Sequence, residues 1–205
     1  MIRELLEFLG VYKVYEAWLK RQLKDGARVE HIAVIADENP NINGSKEVDS
    51  FSSKVVDLLE WCLELDVKYI TIYALSIEAL KQPRRLVDEA LRVLEAGLEA
   101  LLRNDVLYKY EVRVKAIGKL SLLPEHIRAS IDILEESTKD YDKHFLNLAV
   151  AYKGRLEIVD ATRKLAEDVK SGKLSPDSID NSTLERYLYT SHIPKQEPDL
   201  IIRTS

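Results

Sequence analysis

The chain alternates between short apolar runs rich in β-branched residues and longer stretches whose apolar residues recur at helical spacing. The short runs favour buried strands, and the helical spacing favours amphipathic helices. The predicted strands cover residues 31–36, 68–75, 112–117, 145–150 and 199–203. The predicted helices cover residues 2–24, 49–65, 84–103, 124–137 and 155–170, with short helical pieces at 176–179 and 182–187. This alternation predicts an α/β fold in which one parallel β-sheet is flanked by helices.

The pattern divides the chain into an N-terminal amphipathic helix within residues 1–30 and a single α/β domain over residues 31–205. The N-terminal segment has Leu5, Leu9 and Tyr12 at helical spacing, with charged residues between them. We expect this helix to pack on the sheet or on a partner protein. An aromatic face resting on a membrane surface is the alternative.

Length and charge narrow the class of protein. A chain of 205 residues suits one domain, and a net charge of −5 argues against nonspecific nucleic-acid binding. No apolar run approaches the roughly 20 residues that a transmembrane helix needs. The single cysteine, Cys62, excludes an intramolecular disulfide and lies in an apolar helical run, where it is expected to fill the core. These features predict a cytoplasmic protein, with peripheral membrane contact left open.

Polar residues follow the predicted strands where each strand ends. They are Asp37 and Asn39 after the first strand, Ser76 and Glu78 after the second, residues 153–155 after the fourth, and Arg203 at the end of the fifth. In an open parallel sheet these positions share one rim, where ligands bind. Glycine-rich nucleotide-binding signatures, a GxSxG elbow and paired His or Cys spacing are absent from the sequence. From spacing alone, both a functional site and ordinary polar strand ends remain open.

Five segments together resemble a known family. In order they are HIAVIADEN, YITIYALSIEALKQP, RVKAIGKLSLLPEHIRASI, LNLAVAYKGRLEIVDATRKLAEDV and DLIIRT. They are similar to the blocks of the cis-prenyltransferases, whose members include undecaprenyl diphosphate synthases. The resemblance implies an undecaprenyl-diphosphate-synthase-like fold. It also implies an enzyme that condenses isopentenyl diphosphate onto an allylic diphosphate with Mg²⁺, while the growing chain lies in an apolar tunnel between helices and sheet.

The resemblance also implies roles for particular residues. Asp37, Asn39 and Ser76 match catalytic positions, and Asp37 would in addition hold Mg²⁺ at the diphosphate. Arg155 and Arg203 match residues that bind the diphosphate groups of the substrates. A divalent ion neutralises the leaving diphosphate, while arginines and backbone N–H groups hold its oxygens.

Several positions depart from the family pattern, and most of them are positions where negative charge must be stabilised. The family's Gly-Arg-Trp and Asn-Arg residues correspond here to Glu38, Asn41, Ile42, Ala79 and Gln82, and its YGGR segment has Lys153 in place of a glycine. A hydrogen bond to a charged group contributes roughly 1.5–3 kcal/mol. About 1.4 kcal/mol is a tenfold change in affinity or rate. Losing three such bonds would therefore weaken diphosphate binding by about a thousandfold or more.

These departures favour a catalytically impaired subunit that supports an active homologue in a heterodimer. An active polyprenyl diphosphate synthase, which the family resemblance would lead one to expect as a homodimer, is the alternative. An isoprenoid lipid-binding protein is a weaker third hypothesis. The apolar stripes with Val55, Leu59, Leu63, Val87, Leu91, Leu94 and Leu98 either line a lipid tunnel or fill the core.

Overall fold

The computed structural model describes residues 29–35 and 45–203, with side chains from residue 55 onward in the second range. The strands are β1 His31–Ile35, β2 Tyr69–Ser76, β3 Val112–Ile117, β4 His144–Tyr152 and β5 Leu200–Arg203. The helices are α1 Ser45–Glu64, α2 Arg84–Arg103, α3 Val106–Lys109, α4 Glu125–Thr138, α5 Gly154–Lys170 and α6 Asn181–Glu185. Short 3₁₀ helices cover Ala79–Lys81, Leu120–Leu122 and Pro176–Ser178.

The five strands form one sheet in the order β3-β4-β2-β1-β5, and every neighbouring pair is parallel. The predicted single parallel sheet with helices is therefore confirmed. Because all strands run in the same direction, their C-terminal ends meet along one edge, which we call the carboxyl edge. Ile35 at the end of β1 pairs with Tyr73 of β2 and with Arg203 of β5.

The core is built around β4, which lies between β3 and β2 and is continuously buried from Leu146 to Ala151. Helix side chains cover it, including Leu59 of α1, Leu98 of α2 and Ile131 of α4, each exposed by 2% or less. A strand buried in this way is apolar without alternation, which explains the run LNLAVA. Within the described residues, no helix combines the length and the apolar character that crossing a bilayer requires.

The elements differ from the predictions at their ends and in one short helix. β4 continues to Tyr152, two residues beyond its predicted end, and β2 continues to Ser76. α1 begins at Ser45, four residues earlier than predicted. Helix α3 and the 3₁₀ turn Ala79–Lys81 were not predicted, because segments this short carry no periodicity. The predicted N-terminal helix at residues 2–24 lies outside the described residues.

Gly118 follows β3 where the chain passes very close to β4. Its φ is +128°, and a Cβ atom at this position would lie 2.0 Å from the carbonyl oxygen of Val150. The next residue, Lys119, donates its backbone N–H to the Ala151 carbonyl at 3.1 Å. Only glycine fits here, because both the backbone conformation and the close approach exclude a side chain.

A line of polar side chains crosses the middle of the sheet, from the buried His31 through half-buried Thr71 and buried Asn147 to His192, which is partly covered at the protein surface. His31 Nε2 lies 2.8 Å from Thr71 Oγ1, Asn147 Nδ2 donates to the same hydroxyl at 3.1 Å, and His192 Nε2 lies 2.7 Å from Asn147 Oδ1. Burial lowers the pKa of both histidines and therefore favours their neutral forms. The line joins β1, β2 and β4 to the segment that precedes β5.

Hydrogen bonds to the Asp199 side chain link the start of β5 to the start of β1. Its carboxylate accepts hydrogen bonds from the backbone N–H groups of Glu30 at 2.8 Å and His31 at 3.0 Å. Lys195 Nζ lies 2.6 Å from the same carboxylate. These contacts lower the pKa of Asp199 to about 2, with the Lys195 hydrogen bond as the largest cause.

We expect Gly118→Ala to destabilise the fold by at least about 2 kcal/mol, because it adds a strained φ and a clash with the Val150 carbonyl. The matched control is Gly97→Ala in the middle of α2, where an added Cβ meets nothing within 4 Å. This control should stabilise the protein by about 0.5–1 kcal/mol, since alanine favours helix. Urea unfolding measures both variants, and equal free energies of unfolding would contradict the prediction.

We expect the stabilisation that Asp199 provides to disappear in acid. Its folded pKa lies below its ordinary value of 3.8, so the unfolded chain takes up the proton first as the pH falls. The contribution is complete above about pH 4 and is lost as the pH falls to about 2. Urea unfolding at a series of pH values should therefore show a stability gap between the protein and Asp199→Asn that narrows over this range. A gap that stays constant would overturn this account.

Candidate active site

The ends of β2 and β4 are neighbours in the middle of the carboxyl edge, since the strand order is β3-β4-β2-β1-β5. We call the place beyond these two strand ends, between residues 76–78 and residues 152–153, the crevice. Ligands of open α/β sheets bind beyond the carboxyl ends of the strands. The ends of β2 and β4 are therefore taken as the centre of the candidate site.

Ser76, which was predicted as a catalytic residue, is the last residue of β2 and lies opposite Tyr152 of β4. Its side chain is buried, with 4% of the residue exposed. Its hydroxyl oxygen accepts a hydrogen bond from the backbone N–H of Ala79 at 2.9 Å. The hydroxyl thus shapes the turn that carries Glu78 and Ala79 beside the crevice. Its catalytic role stays a prediction.

An ion pair crosses the crevice between Glu78, two residues after β2, and Lys153, the first residue after β4. Lys153 Nζ donates to Glu78 Oε1, and this hydrogen bond is the largest cause of the lowered pKa of Glu78. Both side chains are partly exposed, by 46% for Glu78 and 41% for Lys153. Both residues are strand-end polar groups in the sequence, but their pairing could not be predicted, because β2 and β4 are not consecutive strands.

Behind the crevice, Tyr152 and Glu157 join β4 to α5. Tyr152 donates its hydroxyl to Glu157 Oε2, while the backbone N–H of Tyr189 donates to Glu157 Oε1 at 2.7 Å. Burial and the Glu157 carboxylate raise the pKa of Tyr152, so its phenol stays protonated. The sequence pattern did not predict this hydrogen-bond network. It holds the segment around Tyr189 against the end of β4.

A second ion pair lies one strand away, between Lys119 after β3 and Asp160 of α5. Asp160 also accepts a hydrogen bond from the Tyr189 hydroxyl, and its pKa is lowered mainly by Lys119. Its carboxylate is therefore already engaged within the protein.

Arg155 and Arg203 both lie at the carboxyl edge, as the sequence predicted. Arg155 is in the first turn of α5, directly after the crevice, and Arg203 ends β5. Both are exposed, and within the described residues neither has an ion-pair partner. Their strands are three inter-strand spacings apart, about 14 Å. Their substrate-binding roles remain predictions.

Asp37 and Asn39, predicted as catalytic residues, lie outside the described residues, as does the departure at Glu38. Asp37 is also the predicted Mg²⁺ ligand. In the described part of the chain, no cluster of three His, Cys, Asp or Glu side chains is arranged to hold a metal ion. At the crevice Glu78 already pairs with Lys153. The described residues alone therefore do not form a magnesium site.

Two synthases from other organisms are similar in sequence to this chain over most of its length. A geranylgeranyl-diphosphate-specific tritrans,polycis-undecaprenyl-diphosphate synthase from Methanopyrus kandleri is 41% identical over 95% of this chain and 73% of its own length. A synthase of the same name from Thermoplasma volcanium is 40% identical over 94% of this chain and 76% of its own length.

A solved structure of another diphosphate synthase also resembles this chain. Lavandulyl diphosphate synthase from Lavandula x intermedia, in complex with dimethylallyl diphosphate, superposes with a TM-score of 0.79. It is 30% identical and covers 86% of this chain and 77% of its own chain. The sequence profile of the undecaprenyl diphosphate synthase family matches residues 40–205, a range that begins after Asp37 and Asn39. The chain therefore belongs to the undecaprenyl diphosphate synthase family of prenyltransferases.

Proposed function

We propose that this chain takes part in polyprenyl diphosphate elongation as a subunit with a weakened hold on diphosphate, which supports a homologous catalytic subunit. The observation that carries this proposal is the ion pair across the crevice. The Lys153 ammonium at the centre of the candidate site is neutralised by Glu78 of the same chain. A diphosphate at this place meets a carboxylate and must compete for the cation.

The residues next to the pair support the same conclusion. Ala79, where the resembling family has asparagine, presents only a methyl group, and it packs against the hydrophobic core. Gln82, where the family has arginine, carries no charge. The β2 side of the crevice thus lacks one amide donor and the positive charge of one arginine, and a hydrogen bond between a charged donor and a phosphate oxygen contributes roughly 1.5–3 kcal/mol.

The reaction proposed for the assembled enzyme joins isopentenyl diphosphate to an allylic diphosphate. A carbon–carbon bond forms, the allylic carbon–oxygen bond breaks, and pyrophosphate and a proton leave. Bound Mg²⁺ would neutralise the leaving pyrophosphate, with Asp37 as its proposed ligand and Asn39 and Ser76 as neighbouring catalytic groups. Arg155 and Arg203 would hold diphosphate oxygens, since both are exposed and lack an acidic partner in the described chain.

The apolar stripes suit a prenyl chain that enters at the carboxyl edge. Along α2, Leu94 and Leu98 are buried, whereas Leu91, nearer that edge, is only half-buried. Along α1, Leu59 is buried and Val55, again nearer that edge, is half-buried. Apolar side chains that lose burial toward the crevice are available to contact a hydrocarbon tail. A lipid-binding protein without chemistry would use the same surface.

A synthase that is active alone is the second candidate. It is favoured by relatives named as synthases that are 41% and 40% identical and by Arg155 and Arg203 at the edge, which have no acidic partner within residues 29–35 and 45–203. In either form, the proposed protein acts as a homodimer or a heterodimer in the cytoplasm. Peripheral contact with a membrane is part of both proposals.

The test is an elongation assay with Mg²⁺, geranylgeranyl diphosphate and labelled isopentenyl diphosphate. We expect no product from the protein alone. Adding it to a homologue from the same organism, one with the complete family motif, should raise the homologue's rate. Product from the protein alone would establish the second candidate. No change in the mixture, together with binding of a prenyl alcohol, would favour the lipid-binding protein.

We expect Arg155→Gln and Arg203→Gln each to weaken binding of inorganic pyrophosphate by about tenfold, because each removes a charge-assisted hydrogen bond. Isothermal titration calorimetry on the isolated protein measures this. The matched control is Arg113→Gln at the amino-terminal end of β3, which is exposed and far from the carboxyl edge. Equal affinities for all three variants would contradict roles for Arg155 and Arg203.

A further inference from the structure

The Glu78–Lys153 pair is not needed to hold β2 and β4 together. Where β2 ends, the backbone N–H of Ile77 donates to the Tyr152 carbonyl at 3.2 Å, and the Tyr73 hydroxyl donates to the same carbonyl at 3.1 Å. The two strands are also paired along their whole length. An ion pair this exposed contributes little to stability. The backbone frame is therefore fixed without it, and only the two side chain ends need to move to separate the charges.

The pair is placed where an incoming anion would meet it. Lys153 lies between the end of β4 and the first turn of α5, and Glu78 lies on the turn after β2, so the charges face each other across the crevice. Lys81 also lowers the pKa of Glu78 and adds positive charge on the same turn. A diphosphate carries more negative charge than one carboxylate, so it can take over the ammonium group, although Glu78 then remains close and repels it.

We infer that Glu78 and Lys153 act as an internal competitor for diphosphate: Lys153 is a diphosphate-binding residue of this chain, and Glu78 lowers its affinity by occupying it. This inference rests on the proposed function, because it assumes that the diphosphate site lies at the carboxyl edge. It assigns a binding role to Lys153 and an opposing role to Glu78.

The inference predicts effects of opposite sign on pyrophosphate affinity, measured by calorimetry at constant ionic strength. Glu78→Gln should tighten binding by about two- to fivefold, since it frees the ammonium and removes the repulsion. Lys153→Gln should weaken binding by about tenfold, and Lys153→Arg should restore most of the affinity. In the double variant, Glu78→Gln should no longer tighten binding, because the cation that it frees is absent.

The Lys143–Glu111 pair supplies a matched control. It joins the amino-terminal ends of β4 and β3, and its side chains are exposed by 62% and 43%. Glu111→Gln and Lys143→Gln change the net charge as the two crevice variants do, but at the opposite edge of the sheet. They should leave pyrophosphate affinity unchanged within about twofold, which separates local competition from overall charge. Thermal unfolding of each variant verifies that all remain folded.

The outcomes separate the two proposals. If Glu78→Gln weakens binding or leaves it unchanged while the Arg155 and Arg203 variants still weaken it, the competitor is disproved and the diphosphate site stands. If Glu111→Gln tightens binding as much as Glu78→Gln, overall charge is responsible and the competitor is again disproved. If the protein and its variants do not bind pyrophosphate at all, both the competitor and the diphosphate site of the proposed function fail.

Discussion

The pairing of β2 with β4 is the constraint on which the candidate site depends. These strands are separated in sequence by α2, α3, β3 and α4, yet they are adjacent in the sheet, and their ladder runs from Tyr69 and Phe145 to Ser76 and Tyr152. The ladder shifts register near its end, between Tyr73 and Leu75 and again before Ser76. Irregularities of this kind redirect side chains and are frequent next to active sites. Glu78 and Lys153 can form an ion pair because this strand pairing makes the ends of β2 and β4 neighbours.

The cations at the carboxyl edge differ in whether an acidic side chain already occupies them. Two lysines at this edge, Lys153 after β4 and Lys119 after β3, are paired with Glu78 and Asp160. Arg155 and Arg203 have no such partner in the described chain. The edge therefore has cations that are already paired and cations that have no acidic partner in the described chain. A cation without such a partner holds an incoming anion more tightly.

Much of the fold could be predicted from sequence because buried parallel strands and amphipathic helices have strong signatures. All five strands are at their predicted places within two residues. β4 runs past its predicted end because Tyr152 still pairs with Ser76 of β2, beyond the irregularity at Ala151, whose φ is +47°. Helix α3 was missed, since four residues give no helical period. The order of the strands has no signature in the chain, which is why the crevice could not be located in advance.

The placement of the candidate site residues could be predicted from sequence, but the distances between them could not. Ser76, Arg155 and Arg203 could be assigned to the carboxyl edge, because strand ends and chain direction decide that position. Their mutual distances could not, since they follow from strand order. The pairing of Glu78 with Lys153 needed two non-consecutive strands to become neighbours. The roles of Asp37 and Asn39 still rest on the resemblance alone.

The polar line through Thr71 and Asn147 has a consequence for how the sheet assembles. Apolar strands such as β2 and β4 offer many near-equivalent alignments, because one isoleucine or leucine packs much like the next. Sliding either strand by one residue would turn its polar side chain to the opposite face, away from its hydrogen-bond partners. His31, Thr71, Asn147 and His192 therefore favour the native alignment of these strands over alignments shifted by one residue.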